Sequence, residues 1–283
     1  MTTLNDAFEN YLADLKRRGK KTIPSIERFY ANNIEGEIGH KRLDRIKRTD
    51  IKKLFNQWSI QTPSLANRCL GIISCTYNTA IEDELIQHNP CLGIKKNREI
   101  ERKRYYTQTE LQNIFKVLDE KDKNPRNQLS VACIKLLIYT GARRGEIALT
   151  AKWGDLKGNR LVLSNHKTDD KTGDRVIFLN EYAMTIINGL KRKGDGVAII
   201  GQTPDRLWRS VRLKANCKDL RLHDLRHSFA TTAFKSNKVS LAEIGNLLGH
   251  KSINSTMRYT HILDETAQRN VSDVGQEIFK YFE

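Results

Sequence analysis

The sequence predicts a mainly helical protein: a helical first half, then a mostly helical α+β second half with a small antiparallel β-sheet. Three observations carry this prediction. Apolar residues recur at three- and four-residue spacing through the first ninety positions. A strongly basic stretch without apolar period, Lys95 to Arg104, then intervenes. Alternation of period two appears only in two short runs, Arg160 to Leu163 and Arg175 to Leu179, before helical spacing returns.

The elements follow in order. Leu4, Phe8, Tyr11, Leu12 and Leu15 mark a first helix, with Gly19 as its stop. Thr49 is a candidate cap for a second, whose apolar face holds Ile51, Leu54, Phe55 and Trp58. A third starts near Ser64, runs through Cys69, Ile73 and Ile81, and is ended by Asn89-Pro90. Thr107-x-x-Glu110 has the pattern of a capping box ahead of Leu111, Ile114 and Leu118. An apolar helix spans about Leu129 to Tyr139. The segment from Asn165 to Asp174 reads as a long hairpin connection between the two strands. Helices are expected again at Tyr182 to Leu190, Leu207 to Ala215, His223 to Phe234 and Leu241 to Leu248, the last closed by Gly249. Ser252 to Ser255 offer caps for a helix carrying Met257, Tyr259 and Ile262. The organisation expected is therefore a helical domain at 1–96, a basic linker at 97–106 and a second domain at 107–283.

Charge narrows the function. The 283 residues hold 49 Lys+Arg against 33 Asp+Glu, a formal net charge of +16. Both halves carry the excess: seven over residues 1–104 and nine over the remainder. This pattern favours a polyanionic partner touched by both halves, and nucleic acid is the commonest such partner. Lys41 to Lys53 concentrates seven basic residues, either a solvated helix face or a phosphate-contact surface. The first eleven positions are predominantly polar and include Asp6 and Glu9, so no secretory signal is expected. The most apolar stretch, Val131 to Tyr139, is interrupted by Lys135 and too short for a bilayer, so no membrane association is expected. Cysteines 69, 75, 91, 133 and 217 form no C-x-x-C pair, which argues against a zinc site or a disulfide framework and for reduced thiols in the cytoplasm.

Three short motifs could carry chemistry, and each has a plainer reading. Thr140-Gly141-Ala142-Arg143-Arg144-Gly145-Glu146 is, alone, a helix stop with surface arginines. In His223-Asp224-Leu225-Arg226-His227, His223 and Arg226 share one helix face while Leu222, Leu225 and Phe229 can point inward. A guanidinium binds phosphate oxygens bidentately and an imidazole shuttles protons near neutral pH, but a surface pair near a helix start looks the same. Leu247-Leu248-Gly249-His250 precedes Tyr259, and a lone helical tyrosine is usually core or interface filler.

As a set, these motifs resemble the tyrosine site-specific recombinases, the phage integrase family. The likeness rests on Thr140-Gly141-Ala142-Arg143, Lys167, His223-Asp224-Leu225-Arg226-His227, Leu248-Gly249-His250 and Arg258-Tyr259-Thr260-His261, in that order, over roughly residues 105–265. The first half is similar to the family's helical core-binding domain, through Ile38-Gly39-His40-Lys41-Arg42-Leu43-Asp44-Arg45-Ile46, Ala66-Asn67-Arg68 and Asn89-Pro90. It looks most like the integrases of phages, satellite phages and genomic islands. Many of those carry a further N-terminal arm-binding domain, which this chain is not expected to hold.

The resemblance implies the DNA breaking-rejoining fold and a site of six residues. Arg143 and Arg226 would clamp the scissile phosphate, with His250 as a third donor. Tyr259 would be the nucleophile, forming a 3′-phosphotyrosine. Lys167 would protonate the leaving 5′-oxygen; Lys171 is on the same hairpin, but Lys167-Thr168 fits the family pattern better. His223 would assist proton transfer. Glu146 would support Arg143, while His227, Trp153 and Asp155 would pack around the site. No metal, cofactor or ATP is implied, because fixed guanidinium charges stabilise the phosphorane and the phosphotyrosine conserves the bond energy. The implied partners are double-stranded DNA at a recombination site, three further copies in a homotetramer on DNA (with a monomer when free), and accessory DNA-bending proteins. The tail from Asp264 to Glu283, with Val271, Val274, Ile278, Phe279 and Phe282, would dock on a neighbouring protomer or pack on its own.

Three other readings compete. A type IB topoisomerase uses a similar Arg, Lys, His and Tyr set, but the integrase-like first half argues against it. A non-catalytic DNA-binding regulator would not need all six positions filled. A metal-dependent nuclease would use Asp169, Asp170 and Asp174, which are ordinary turn residues in such a hairpin.

Overall fold

The computed structural model describes residues 2–20, 22–100, 102–164, 174–236 and 239–250, together with Gln276 and Phe279. The chain divides into two compact units, Met1–Glu101 and Arg102–Glu283.

The first unit is helical. Helix α1 (Leu4–Arg17) starts at Thr3, whose hydroxyl accepts the Asp6 N–H while the Asp6 carboxylate accepts the Thr3 N–H at 2.8 Å. It buries Leu4, Ala7, Phe8, Leu12 and Leu15. Helix α2 (Ile23–Tyr30), with Pro24 in its first turn, runs into a wider π-helical stretch, Ala31–Gly39. Neither was expected, although Ile23, Ile26, Tyr30, Ile34 and Ile38 keep three- and four-residue spacing through both. Helix α3 (Arg48–Gln61) starts one residue before the expected cap: Lys47 is the N-cap, and the Asp50 carboxylate accepts its N–H at 2.9 Å. Thr49 therefore lies inside the first turn. Helix α4 (Pro63–Glu82) is capped by the Thr62 hydroxyl, which accepts the Leu65 N–H. Phe8 stacks on Tyr30 with ring centroids 3.6 Å apart, and Ile34, Ile38, Ile51, Ile73 and Tyr77 complete a closed core. The basic run from Lys41 to Lys53 stays outside this core. Lys41, Arg45, Lys47, Arg48, Lys52 and Lys53 are exposed, and Leu43, Ile46 and Ile51 between them are buried.

The segment that leaves α4 is tied back to it. Buried Asn67 donates to the Asn97 carbonyl and to Glu99 Oε1, and its own carbonyl accepts the Asn97 N–H at 2.8 Å. In the second unit, Arg102 reaches Asp224 and Asp219, and Arg104 bridges Glu110 and Asp219. These partners fix residues that carry no apolar signal of their own.

The second unit is built around helix α6 (Gln128–Thr140), apolar on nearly every side. It packs against α5 (Gln108–Asp122), α7 (Glu181–Asn188), α8 (Asp205–Lys214) and α9 (Leu222–Lys235). The expected capping box at Thr107 and Glu110 is formed. Strands β1 (Leu156–Lys157), β2 (Arg160–Leu163) and β3 (Arg175–Phe178) make an antiparallel sheet in that order. Leu161 faces Ile177, and Leu163 faces Arg175. Strand β1, too short to show alternation, was not anticipated. Helix α10 (Leu241–Leu248) packs on α9 through Ala230, Phe234, Ile244 and Leu248. The chain is thus mainly helical with one small antiparallel sheet, as the apolar periods predict.

Candidate active site

The site forms where three segments of the second unit meet the end of α10. Helix α6 stops at Gly141, which adopts a left-handed φ of +61°. A methyl group there would lie 2.5 Å from the Phe229 ring and 3.1 Å from Leu248 Cδ2. Glycine is required twice over, by its backbone angle and by the close approach of α9 and α10. The chain then turns so that Arg143 folds back on Glu146. The Glu146 carboxylate accepts the Arg143 N–H and its Nη1, each at 2.8 Å. Glu146 is buried, while the Arg143 side chain keeps 40% of its surface exposed.

Arg226 comes from α9 and is only 5% exposed. Its Nη1 donates to the Gly141 carbonyl at 2.9 Å and its Nη2 to the Leu248 carbonyl at 2.6 Å. Arg143 Nη2 donates to the next carbonyl, Gly249, at 3.1 Å. Gly249 closes α10 with φ +65°, and the His250 N–H bonds back to the Gly245 carbonyl. The final carbonyls of a helix lack partners within it and carry its negative pole, so two guanidinium groups settle there naturally. Three of the six expected residues, Arg143, Arg226 and His250, are thereby gathered on one turn.

His223 lies one helical turn before Arg226 on α9 and is exposed. Its ring meets His227 edge-on, with centroids 4.9 Å apart. It lines a cleft of about 440 Å³ that also draws on Arg144, Arg209, Arg212 and Arg221. The one acid in that lining is Asp205, paired with Arg144. Lys167 and Tyr259 lie outside the described residues, as do Lys171, Asp169, Asp170 and nearly all of the tail from Asp264. Among the described residues, no group of three His, Cys, Asp or Glu could hold a metal ion, and no helix is long and apolar enough to cross a membrane.

Two residues of the site were not singled out by the sequence. Asp224, 3% exposed, accepts the Arg221 N–H at 2.8 Å and Arg102 Nε at 3.2 Å, fixing the start of α9. Its position three residues after a helix start was the available signal. Arg175, 6% exposed, read only as the first residue of a strand. Burial pushes its pKa down, the Arg143 charge pushes it further, and Glu146 opposes both.

Comparison with known proteins now decides the family. Residues 104–266 match the phage integrase family. The chain belongs to it. The integrase of Escherichia phage P2 is 32% identical over 216 residues, covering 74% of this chain and 59% of that protein. The tyrosine recombinase XerC of Lactobacillus leichmannii is 24% identical over 292 residues, covering 92% of this chain and 94% of that one. A solved lambda integrase tetramer bound to a Holliday junction superimposes with a TM-score of 0.70 at 18% identity, covering 91% of this chain and 77% of that one. The fold of this integrase-family chain is therefore that of a tyrosine recombinase.

Proposed function

We propose that this chain is a site-specific DNA recombinase that cuts and rejoins strands through a 3′-phosphotyrosine, integrating or excising a mobile element. One observation carries the reading. Arg143 and Arg226, from separate elements, converge on the Leu248–Gly249 turn beside His250 in a member of the phage integrase family.

The chemistry follows from these groups. A phosphodiester repels nucleophiles through its anionic oxygens, and a phenol of pKa about 10 is a poor nucleophile at neutral pH. Arg143 and Arg226 grip the non-bridging oxygens and neutralise the charge that grows on the phosphorane. His250 donates a further hydrogen bond. The Tyr259 oxygen attacks phosphorus and loses its proton with help from His223. The bond to the 5′-oxygen breaks, and Lys167 supplies the proton that oxygen needs. The phosphotyrosine conserves the bond energy, so rejoining to another 5′-hydroxyl needs neither ATP nor a metal ion.

The substrate is double-stranded DNA. Residues 1–96 serve as the core-binding domain and meet the backbone through the exposed basic run at 41–53. Residues 97–106 connect it to the catalytic domain at 107–283, where the arginine-lined cleft beside His223 takes flanking phosphates. Four copies assemble on two sites in the bacterial cytoplasm, with accessory DNA-bending proteins where the site requires them.

The test is a duplex carrying the recombination site with a nick next to the cleavage point, so that the cut end diffuses away and the adduct accumulates. Wild type should form a covalent protein–DNA adduct, and Tyr259→Phe should bind equally but form none. An adduct in the Phe variant would identify another nucleophile; supercoil relaxation without a site would favour a topoisomerase. Binding with no adduct in wild type would leave only a regulator.

A further inference from the structure

Arg175 is a buried arginine that the proposed chemistry does not use. It opens β3 opposite Leu163, so the sheet fixes its backbone. Its Nη1 donates to the Val176 carbonyl and its Nη2 to the Leu247 carbonyl, 3.1 Å away. Its Nε, 3.6 Å from Glu146 Oε1, makes no hydrogen bond among the described residues. A Cβ on Gly249 would lie 2.7 Å from its Cζ, so the guanidinium lies flat against the Gly249 backbone.

Three successive carbonyls at the end of α10 are thus held by three different arginines. Leu247 accepts from Arg175, Leu248 from Arg226 and Gly249 from Arg143. Gly249 is gripped from two sides, its oxygen by Arg143 and its α-carbon by Arg175. The Glu146 carboxylate that orients Arg143 faces Arg175 as well. An aliphatic side chain would fill this space without burying a charge. What the guanidinium adds is direction: two donors at a fixed angle and a positive charge beside Glu146.

We propose that Arg175 is a positioning residue for the phosphate clamp, setting the Leu247–His250 turn and the Glu146 carboxylate so that Arg143 and His250 face one phosphate. It touches neither DNA nor the reacting atoms. This rests on the recombinase reading above. If Arg175 only filled the core, its loss would lower stability without changing how the site handles phosphate charge.

The experiment measures single-turnover adduct formation at saturating protein on the nicked duplex, beside DNA affinity and thermal unfolding. Arg175→Met should keep affinity within about threefold and slow cleavage by about 10², the effect of displacing aligned groups by an ångström. Arg175→Lys keeps the charge but not the fork, and should be slowed by about tenfold. A second substrate carries a methylphosphonate at the scissile position, which removes one negative oxygen and with it the demand on the clamp. There the deficit of Arg175→Met, relative to wild type, should shrink below about tenfold, in parallel with that of Arg143→Ala. Unchanged cleavage by Arg175→Met or by Arg175→Lys overturns the proposal, and so does a deficit that the methylphosphonate leaves intact. If Arg175→Met does not fold, Arg175→Lys decides: its deficit of about tenfold on the plain duplex should fall to about twofold or less on the methylphosphonate, and a deficit that stays at about tenfold overturns the proposal. Wild type forming no adduct on the plain duplex refutes the recombinase reading itself, a different failure from an active wild type matched by its variants.

Discussion

Replacing Gly141 with alanine tests the joint on which the site is built. The perturbation is one methyl group, and the structure gives it two penalties. At φ +61° the added Cβ crowds its own backbone, about 1–2 kcal/mol for an L-residue in the left-handed region. The same methyl sits 2.5 Å from Phe229 Cδ1 and 2.7 Å from Cγ, so α9 or the turn must shift, and such overpacking costs about 1–3 kcal/mol. Together these predict a loss of about 2–5 kcal/mol, or roughly 4–20 °C in the melting temperature of a unit of this size. Trp153 and Trp208 are buried in the second unit and Trp58 in the first, so urea unfolding in a Trp58→Phe background reports the second unit alone. Cleavage should fall further than stability, because the Gly141 carbonyl anchors Arg226 at 2.9 Å and moves with the turn. A variant within about 0.5 kcal/mol of the parent, the range of ordinary surface changes, would refute the argument that this glycine is required.

Three further outcomes follow from the same geometry. Arg226→Ala should lower single-turnover cleavage by about 10² or more, with a much smaller change in DNA affinity, because its contact strengthens as the phosphorane forms; equal losses in both would show a ground-state role. DNA affinity should drop by about 10³ or more between 50 and 200 mM salt if both basic units grip phosphates, which filter binding or fluorescence anisotropy would measure; a flat response would contradict it. Hydrogen bonds from Arg104 hold the Glu110 and Asp219 carboxyls below their ordinary range. Their contribution is complete above the unfolded carboxyl pKa, about 4, and is lost as pH falls through the lower folded values. Acid denaturation of Arg104→Gln, followed by circular dichroism, should therefore lack part of the parent's pH dependence in that window; superimposable pH profiles would discount the pair.

How much of this was legible in the sequence depends on the range of each interaction. The Thr107–Glu110 box and the helix from Leu241 to Leu248 were read correctly because their causes lie within a few residues: a hydroxyl and a carboxylate three apart, and an apolar stripe ending in a glycine that tolerates positive φ. Thr49 was misread at equally short range, since the Asp50 carboxylate accepts the Lys47 N–H and the helix starts at Arg48, which puts Thr49 inside the first turn. The segment from Ile23 to Gly39 was missed although Ile23, Ile26, Tyr30, Ile34 and Ile38 recur at three- and four-residue spacing and pack in or against the core. Asn67 was visible only as part of a resemblance, yet it fastens a chain segment thirty residues away.

The arginines make the same point about the site. Arg143 and Arg226 could be picked out because a family pattern names them, whereas Arg175, buried in the same cluster, sits in a run that reads as a strand. What groups the three is not a motif but a shortage: the carbonyls that end a helix have no partners of their own, and each is met by a guanidinium from a different element. Arg175 bridges 72 positions to do so and Arg143 106, distances over which local periodicity carries no information. The end of α10 therefore does two jobs with one set of atoms. Its carbonyls fix the arginines, and the arginines in turn fix the turn that presents His250. A change to any of the three should be felt by the other two, so double substitutions among Arg143, Arg175 and Arg226 should slow cleavage by less than the product of the single effects.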